Sequence, residues 1–232
     1  MLDRGLSLAQ VEGMMEVAGA SVDIVKLGWG TALATQNLEP KLARYREHDV
    51  PVVLGGTLTE LAILQDRVDP LIAWLHELGL RHVEVSDGSI ALERPRKLEL
   101  IRRLAADGFV VLSEVGSKDN ENIMAPYRWV EQIQEELEAG AWKVIAEARE
   151  SGTAGIYRAD GEVRMGLIDE IVHAVDPGRL MFEAPQKDQQ VWFVRRLGPD
   201  CNLGNIAPDD VLSLETLRLG LRSDTIEANP SE

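Results

Sequence analysis

Charged side chains recur at the ends of short apolar runs in this sequence. The residues in this position are Lys26, Glu84, Glu114, Glu147 and Glu183. A polar residue that ends an extended apolar run lies at the carboxyl end of a strand. The spacing therefore predicts one pocket, rich in carboxylates and containing a lysine, built from residues far apart in the chain.

The segment Lys143-Val-Ile-Ala-Glu-Ala-Arg-Glu-Ser-Gly152 shows the pattern most clearly. In an extended strand, Ile145, Glu147 and Arg149 share one side, and the small apolar residues between them occupy the other. The apolar side can then pack under a helix, with a carboxylate and a guanidinium at the end of the strand. The alternative is that the two charges only neutralise each other.

Eight strand candidates alternate with helical sequence. They lie at residues 1–4, 22–27, 52–54, 82–85, 109–114, 143–147, 180–184 and 202–206. Strict alternation implies parallel strands joined by right-handed crossovers, and eight such units most simply form a (β/α)8 barrel. An open doubly wound sheet is the alternative. The polar strand ends favour the barrel, because barrel active sites collect where the strands finish.

The helical segments carry apolar residues at helical spacing. They are predicted at residues 6–19, 38–48, 58–66, 70–78, 95–107, 127–139, 166–175, 188–197 and 208–221, with a small excursion at 154–165 that turns at 159–161. We expect one domain over residues 1–225, with a first strand that enters the barrel late, and a polar tail at 226–232.

Composition excludes several classes of protein. A formal net charge of −15 disfavours nucleic acid and anionic membranes as partners. The single cysteine, Cys201, cannot form an internal disulfide, and neither a secretory leader nor a long apolar run is present, so we expect a cytoplasmic protein. The histidines and Cys201 lack metal-ligand spacing, which argues against zinc or a thiol nucleophile. Nucleotide-binding fingerprints are absent.

Eight segments in order resemble the phosphosulfolactate synthase family. They are Lys26-Leu-Gly-Trp-Gly-Thr31, Gly55-Gly-Thr57 with Glu60, Glu84-Val-Ser-Asp-Gly88, Ser113-Glu-Val-Gly-Ser-Lys118, Glu147-Ala-Arg-Glu-Ser-Gly152, Phe182-Glu-Ala-Pro185, Asn202-Leu-Gly-Asn-Ile206 and Leu214-Glu-Thr-Leu-Arg218 with Gly220-Leu-Arg222. The resemblance implies a barrel enzyme that adds sulfite to phosphoenolpyruvate, requires magnesium and gives (2R)-phospho-3-sulfolactate, as in coenzyme M biosynthesis. It also implies a homo-oligomer, with a trimer as one form.

The sequence departs from the family at its start. Asp3-Arg4-Gly5 stands where the family has Asp-Lys-Gly, which keeps the charge but loses a titratable amine. Arg4 is therefore not expected to transfer a proton, although its guanidinium keeps the charge that anion binding requires. The family also includes plant heat-stress-associated relatives, so a barrel enzyme with another phosphorylated substrate and a non-catalytic protein remain alternatives.

The implied chemistry assigns roles to the candidate residues. Lys26 or Lys118 would deliver a proton, Glu147 and Arg149 would act beside the substrate, and Mg²⁺ would bind among Glu84, Glu114, Glu147 and Glu183. Small anionic substrates need cations and backbone donors. The residues assigned to substrate binding, several of them carried over from the matching segments, are Asp3, Gly55, Gly56, Ser151, Lys187, Asn205, Arg218 and Arg222.

Each assignment has a plainer alternative. A charge at a strand end is often a salt bridge between neighbouring strands, as Glu84 and Glu183 would be. Gly55 and Gly56 could form an ordinary turn, and Lys187 could simply be a solvated residue at the start of a helix.

Overall fold

The computed structural model describes residues 1–116, 124–149 and 151–226. Eight parallel strands form one sheet whose spatial order follows the chain order. They are β1 (Leu2–Asp3), β2 (Val25–Leu27), β3 (Val52–Leu54), β4 (His82–Val85), β5 (Val110–Val115), β6 (Lys143–Ala146), β7 (Leu180–Glu183) and β8 (Leu203–Gly204). This alternation of parallel strands with helices is the (β/α)8 barrel fold class, which confirms the prediction.

The chain divides into two compact units, of which the first comprises Met1–Glu114 and Glu136–Trp142. Its strands pair in parallel, with Lys26 opposite Val53 and Glu84 opposite Leu112. Its helices are α1 (Leu8–Ala18), α2 (Thr31–Ala34), α3 (Leu38–Glu47), α4 (Gly56–Leu64), α5 (Val68–Glu77) and α6 (Arg94–Ala106).

The second unit comprises Val115–Glu135 and Lys143–Glu232. Within it β6 pairs with β7 and β7 with β8, with Ile145 opposite Met181 and Phe182 opposite Leu203. Its helices are most of α7 (Pro126–Glu138), then α8 (Met165–Ala174), α9 (Lys187–Leu197) and α10 (Val211–Arg218).

The strands are apolar because both of their faces are covered. In the first unit Val25, Val85 and Val111 are fully buried, and in the second unit Val144 and Phe182 are fully buried. Strands of parallel sheets carry near-continuous apolar runs for this reason, so a charged residue at the end of such a run is conspicuous.

Two local features differ from the sequence prediction. The short helix α2 was not predicted, since it follows a tight turn in which Trp29 and Gly30 both have positive φ. The break between α4 and α5 comes before Asp69 and Pro70, and Pro70 is the third residue of α5. A proline is tolerated there, because the amide of a first-turn residue has no partner within the helix.

The predicted excursion after β6 is present as a small hairpin. Tyr157 and Val163 form an isolated antiparallel bridge, and the amide of Arg158 donates to the carbonyl of Glu162 at 2.8 Å. We call residues 154–164 the 154–164 hairpin.

No helix in the described ranges combines the length and the apolar character needed to cross a bilayer.

Gly155 in this hairpin provides a test of the backbone packing. Its φ is +60°, and a Cβ added there would lie 1.9 Å from the carbonyl oxygen of Glu147. Gly79 has a similar φ of +67°, but the nearest atom to its added Cβ is a flexible Arg46 nitrogen at 3.6 Å. Gly79→Ala should therefore lower the free energy of unfolding by about 1–2 kcal/mol, the strain of positive φ alone. Gly155→Ala should lower it clearly more.

Urea denaturation of the two variants measures this difference. Equal losses of unfolding free energy in the two variants would show that the hairpin backbone can move away from the Glu147 carbonyl at little cost.

Candidate active site

In the first unit, Lys26 at β2 and Glu84 at β4 form an ion pair. The Lys26 ammonium nitrogen lies 3.2 Å from Oε1 and 3.1 Å from Oε2 of Glu84. The amide of Gly56 donates to the same Oε1 at 2.7 Å. Burial raises the pKa of Glu84, Lys26 opposes that rise, and Glu114 adds to it. Lys26 is thus held in place by a carboxylate, while its side chain keeps 19% of its surface exposed.

Glu60 is a buried glutamate close to the end of β4 to which sequence reasoning gave no role. It lies on α4, is 2% exposed, and accepts a hydrogen bond from the Ser86 hydroxyl at 2.6 Å. Its second oxygen is buried and has no hydrogen-bond partner among the described residues. The one feature of the sequence that pointed to Glu60 was its place in a segment that resembles the family, next to Gly55-Gly-Thr57. A glutamate on a helix is normally solvated, which is why the pattern did not mark it.

In the second unit, Glu147 and Glu183 meet at the ends of β6 and β7. Both are buried, and one oxygen of each carboxylate lies within 4.8 Å of an oxygen of the other. The amide of Ala148 donates to Oε2 of Glu183 at 3.0 Å, and the amide of Arg149 donates to Oε1 of Glu147 at 2.5 Å. Two carboxylates this close repel each other unless a cation or a proton is shared between them. The pair therefore fits a divalent cation that takes oxygen ligands.

Arg149 does not follow the predicted alternation. β6 ends at Ala146, and Arg149 has a φ of +56° and an exposed side chain. The contact that it makes with Glu147 comes from its main-chain amide. Nearby Ser151 is exposed, and its hydroxyl lies 2.8 Å from that of Thr153.

Asp3 lies at the centre of a buried network. Its Oδ2 lies 2.6 Å from the Lys41 ammonium and accepts from the Tyr45 hydroxyl at 2.8 Å. Its Oδ1 accepts from the amides of Gly5 and Leu6, each at 2.8 Å. These contacts engage both oxygens and order the loop after β1. This loop, together with α2 and Lys41, lines a cavity of about 440 Å³.

The glycine turn at Gly55 and Gly56 is a point of close approach. The Gly55 amide donates to the carbonyl of Leu27 at 3.1 Å, and the Gly56 amide donates to Glu84. A Cβ on Gly56 would lie 2.2 Å from the Ser86 hydroxyl oxygen. Glycine is therefore required here by packing against β4, and both amides already have partners within the protein.

The remaining cationic candidates bind groups of the second unit. Lys187 pairs with Asp224 at 2.8 Å, and Arg222 donates to the Ser213 hydroxyl at 2.8 Å. Arg218 donates to the main-chain carbonyls of Pro199 and Cys201. Asn205 is half-buried with a φ of +56°. Lys118 lies outside the described residues.

The fold and the strand-end carboxylates define a (β/α)8 barrel with an acidic candidate site. The sequence model of the (2R)-phospho-3-sulfolactate synthase (ComA) family matches residues 1–224. The phosphosulfolactate synthase of Bacillus subtilis (strain 168) is 43% identical over 228 residues, which cover 97% of this chain and 90% of that protein. The chain therefore belongs to the phosphosulfolactate synthase family, and the predicted resemblance is confirmed.

Other similar proteins agree with this assignment. The phosphosulfolactate synthase of Methanothermobacter thermautotrophicus is 40% identical over 231 residues, covering 97% of this chain and 90% of that protein. Among solved structures, a 3-hexulose-6-phosphate synthase aligns with a TM-score of 0.59 at 17% identity, over 94% of this chain and 97% of that chain. The structural likeness concerns the fold alone.

The raised pKa of Glu84 predicts how stability depends on pH. Because its folded-state pKa lies above the ordinary value of 4.5, this carboxyl contributes stability below pH 4.5 and loses it as pH rises through the folded-state pKa. Glu84→Gln keeps a neutral side chain at every pH. The difference in free energy of unfolding, variant minus wild type, should therefore become more positive as the pH rises from 4.5 through the folded-state pKa of Glu84.

Denaturant unfolding at several pH values measures this difference, with Glu16→Gln at an exposed position as the control for losing one negative charge. A difference that stays constant with pH would contradict the assignment.

Proposed function

We propose that this protein catalyses the addition of sulfite to phosphoenolpyruvate in the presence of magnesium, giving (2R)-phospho-3-sulfolactate. The observation that supports this most strongly is the buried Glu147 and Glu183 pair, in a chain that matches the synthase family over residues 1–224. A pair of carboxylates that can hold a divalent cation suits a reaction in which negative charge develops on an enolate-like substrate.

The bond changes set the tasks of the site. The sulfur lone pair of sulfite forms a bond to the methylene carbon of phosphoenolpyruvate. The electrons of the carbon–carbon double bond move toward the carboxylate, and the middle carbon then takes one proton on a single face. The phosphate ester stays intact, so the reaction is an addition and not a phosphoryl transfer.

The buried carboxylates suit the binding of the cation. Glu147 and Glu183 in the second unit are two carboxylates that could hold a metal ion, and magnesium typically takes one or two carboxylates and keeps several waters. When bound, magnesium supplies positive charge that stabilises the negative charge developing on the substrate carboxylate. The amides of Ala148 and Arg149 orient the carboxylates of Glu183 and Glu147 for this task.

Lys26 is the proton donor that we propose within the described residues. Its ammonium group is fixed by Glu84 and remains partly exposed, so a small substrate can reach it. A lysine can act as a general acid toward a carbon when it is positioned over that atom. Lys118 is the second candidate from the sequence.

The purified protein tests the reaction directly. Incubated with phosphoenolpyruvate, sulfite and magnesium, it should consume sulfite and phosphoenolpyruvate in equal amounts, and omitting any one of the three should stop the reaction. Consumption of phosphoenolpyruvate without sulfite would point to another substrate. A folded protein that consumes neither would contradict the proposal.

Glu147→Gln tests the cation site. The neutral amide removes one charged ligand, so we expect activity at fixed magnesium to fall at least about 100-fold, the scale of losing one group that stabilises developing charge. Glu170→Gln, on the exposed surface of α8, makes the same chemical change away from the site. Steady-state rates over a range of magnesium concentrations measure the effect. Equal activities of the two variants would exclude Glu147 from the cation site.

A further inference from the structure

The 154–164 hairpin contacts the main chain of Glu147. The amide of Ile156 donates to the Glu147 carbonyl at 3.0 Å. Gly155 passes so close to this carbonyl that any side chain at that position would collide with it. The hairpin is closed on itself, since the amide of Arg164 donates to the Ile156 carbonyl at 2.9 Å. The 154–164 hairpin thus fixes the main-chain carbonyl of Glu147.

The same hairpin reaches the main chain of Glu183 through Tyr157. The Tyr157 hydroxyl donates to the Glu183 carbonyl at 2.6 Å, and the side chain is 3% exposed. Glu183 is the last residue of β7, while Tyr157 lies in the loop that follows β6. Two consecutive hairpin residues, Ile156 and Tyr157, therefore fix the carbonyls of the two glutamates whose carboxylates approach within 4.8 Å.

The first unit shows the same arrangement at its own strand-end glutamates. The Thr59 hydroxyl donates to the Glu84 carbonyl at 2.7 Å, and the Lys97 ammonium donates to the Glu114 carbonyl at 2.6 Å. In all four cases the donor comes from outside the sheet. Holding the carbonyl fixes the peptide plane, and thereby the direction in which the Cα–Cβ bond presents the carboxylate.

We infer that Tyr157 is a positioning residue for the cation site. Its hydroxyl holds the main chain of Glu183 so that the Glu183 carboxylate stays close to that of Glu147. This inference rests on the proposed function, because it takes these two carboxylates to be cation ligands. Some groups hold metal-ligating residues in position by hydrogen bonds without binding the metal themselves. Removing one of them typically lowers metal affinity by about 10–100-fold.

Tyr157→Phe tests the inference, since it removes one hydroxyl and keeps the ring. Thr225→Val is the matched control in the same unit. Thr225 is 2% exposed, and its hydroxyl donates to the main-chain carbonyl of Leu217 at 2.7 Å, a bond of the same kind that involves neither glutamate. Mn²⁺ serves as the probe, because it takes the same oxygen ligands as magnesium. Binding to the protein without substrate is followed by the decrease in the signal of free Mn²⁺ in electron paramagnetic resonance.

We expect Tyr157→Phe to weaken Mn²⁺ binding about 10–100-fold, with Thr225→Val binding as the wild type does. Equal affinity of Tyr157→Phe and wild type would overturn the inference and leave the proposed function standing. Equal weakening in both variants would overturn it too, since the effect would then be general destabilisation. A wild-type protein that binds no Mn²⁺, or binds it as well after Glu147→Gln, would overturn both the cation site and the inference.

Discussion

The proposed site depends on keeping two carboxyl groups close together where they are almost fully buried. The carboxylates of Glu147 and Glu183 are 1% and 2% exposed, and their oxygens approach within 4.8 Å. At such a distance in a poorly polarisable interior, like charges oppose folding unless positive charge joins them. Two buried carboxylates at neighbouring strand ends are the feature on which the proposed cation site rests.

The fold holds these carboxyl groups in place by fixing the main-chain peptide groups of the glutamates to which they belong. Four of the strands, β4 to β7, end at or beside a glutamate whose carbonyl accepts a hydrogen bond from a donor outside the sheet. The four donors are Thr59, Lys97, Ile156 and Tyr157. Lys97 is itself buried and lies 2.9 Å from Glu136 and 2.7 Å from Asp87. Its ammonium therefore links the end of β5 to two further carboxylates, and these contacts with Glu136 and Asp87 raise its pKa against the effect of burial.

Much of this architecture follows from sequence patterns, and the rest depends on contacts that no pattern encodes. The eight strands were predictable because short apolar runs alternate with helical sequence, and Glu84, Glu114, Glu147 and Glu183 were found because they end such runs. The sequence did not reveal the positive φ of Arg149, which ends the alternation after Ala146. Nor did it reveal Tyr157 or Glu60, since a tyrosine in a loop and a glutamate on a helix look like surface residues until tertiary packing buries them.

Anomalous diffraction from crystals grown with Mn²⁺ tests the central claim most directly. The account predicts an anomalous peak at about 2.0–2.6 Å from carboxylate oxygens of both Glu147 and Glu183, the range of oxygen ligands around such cations. A map without a peak at these two residues, and with a lysine or arginine side chain placed between their carboxylates, would contradict it.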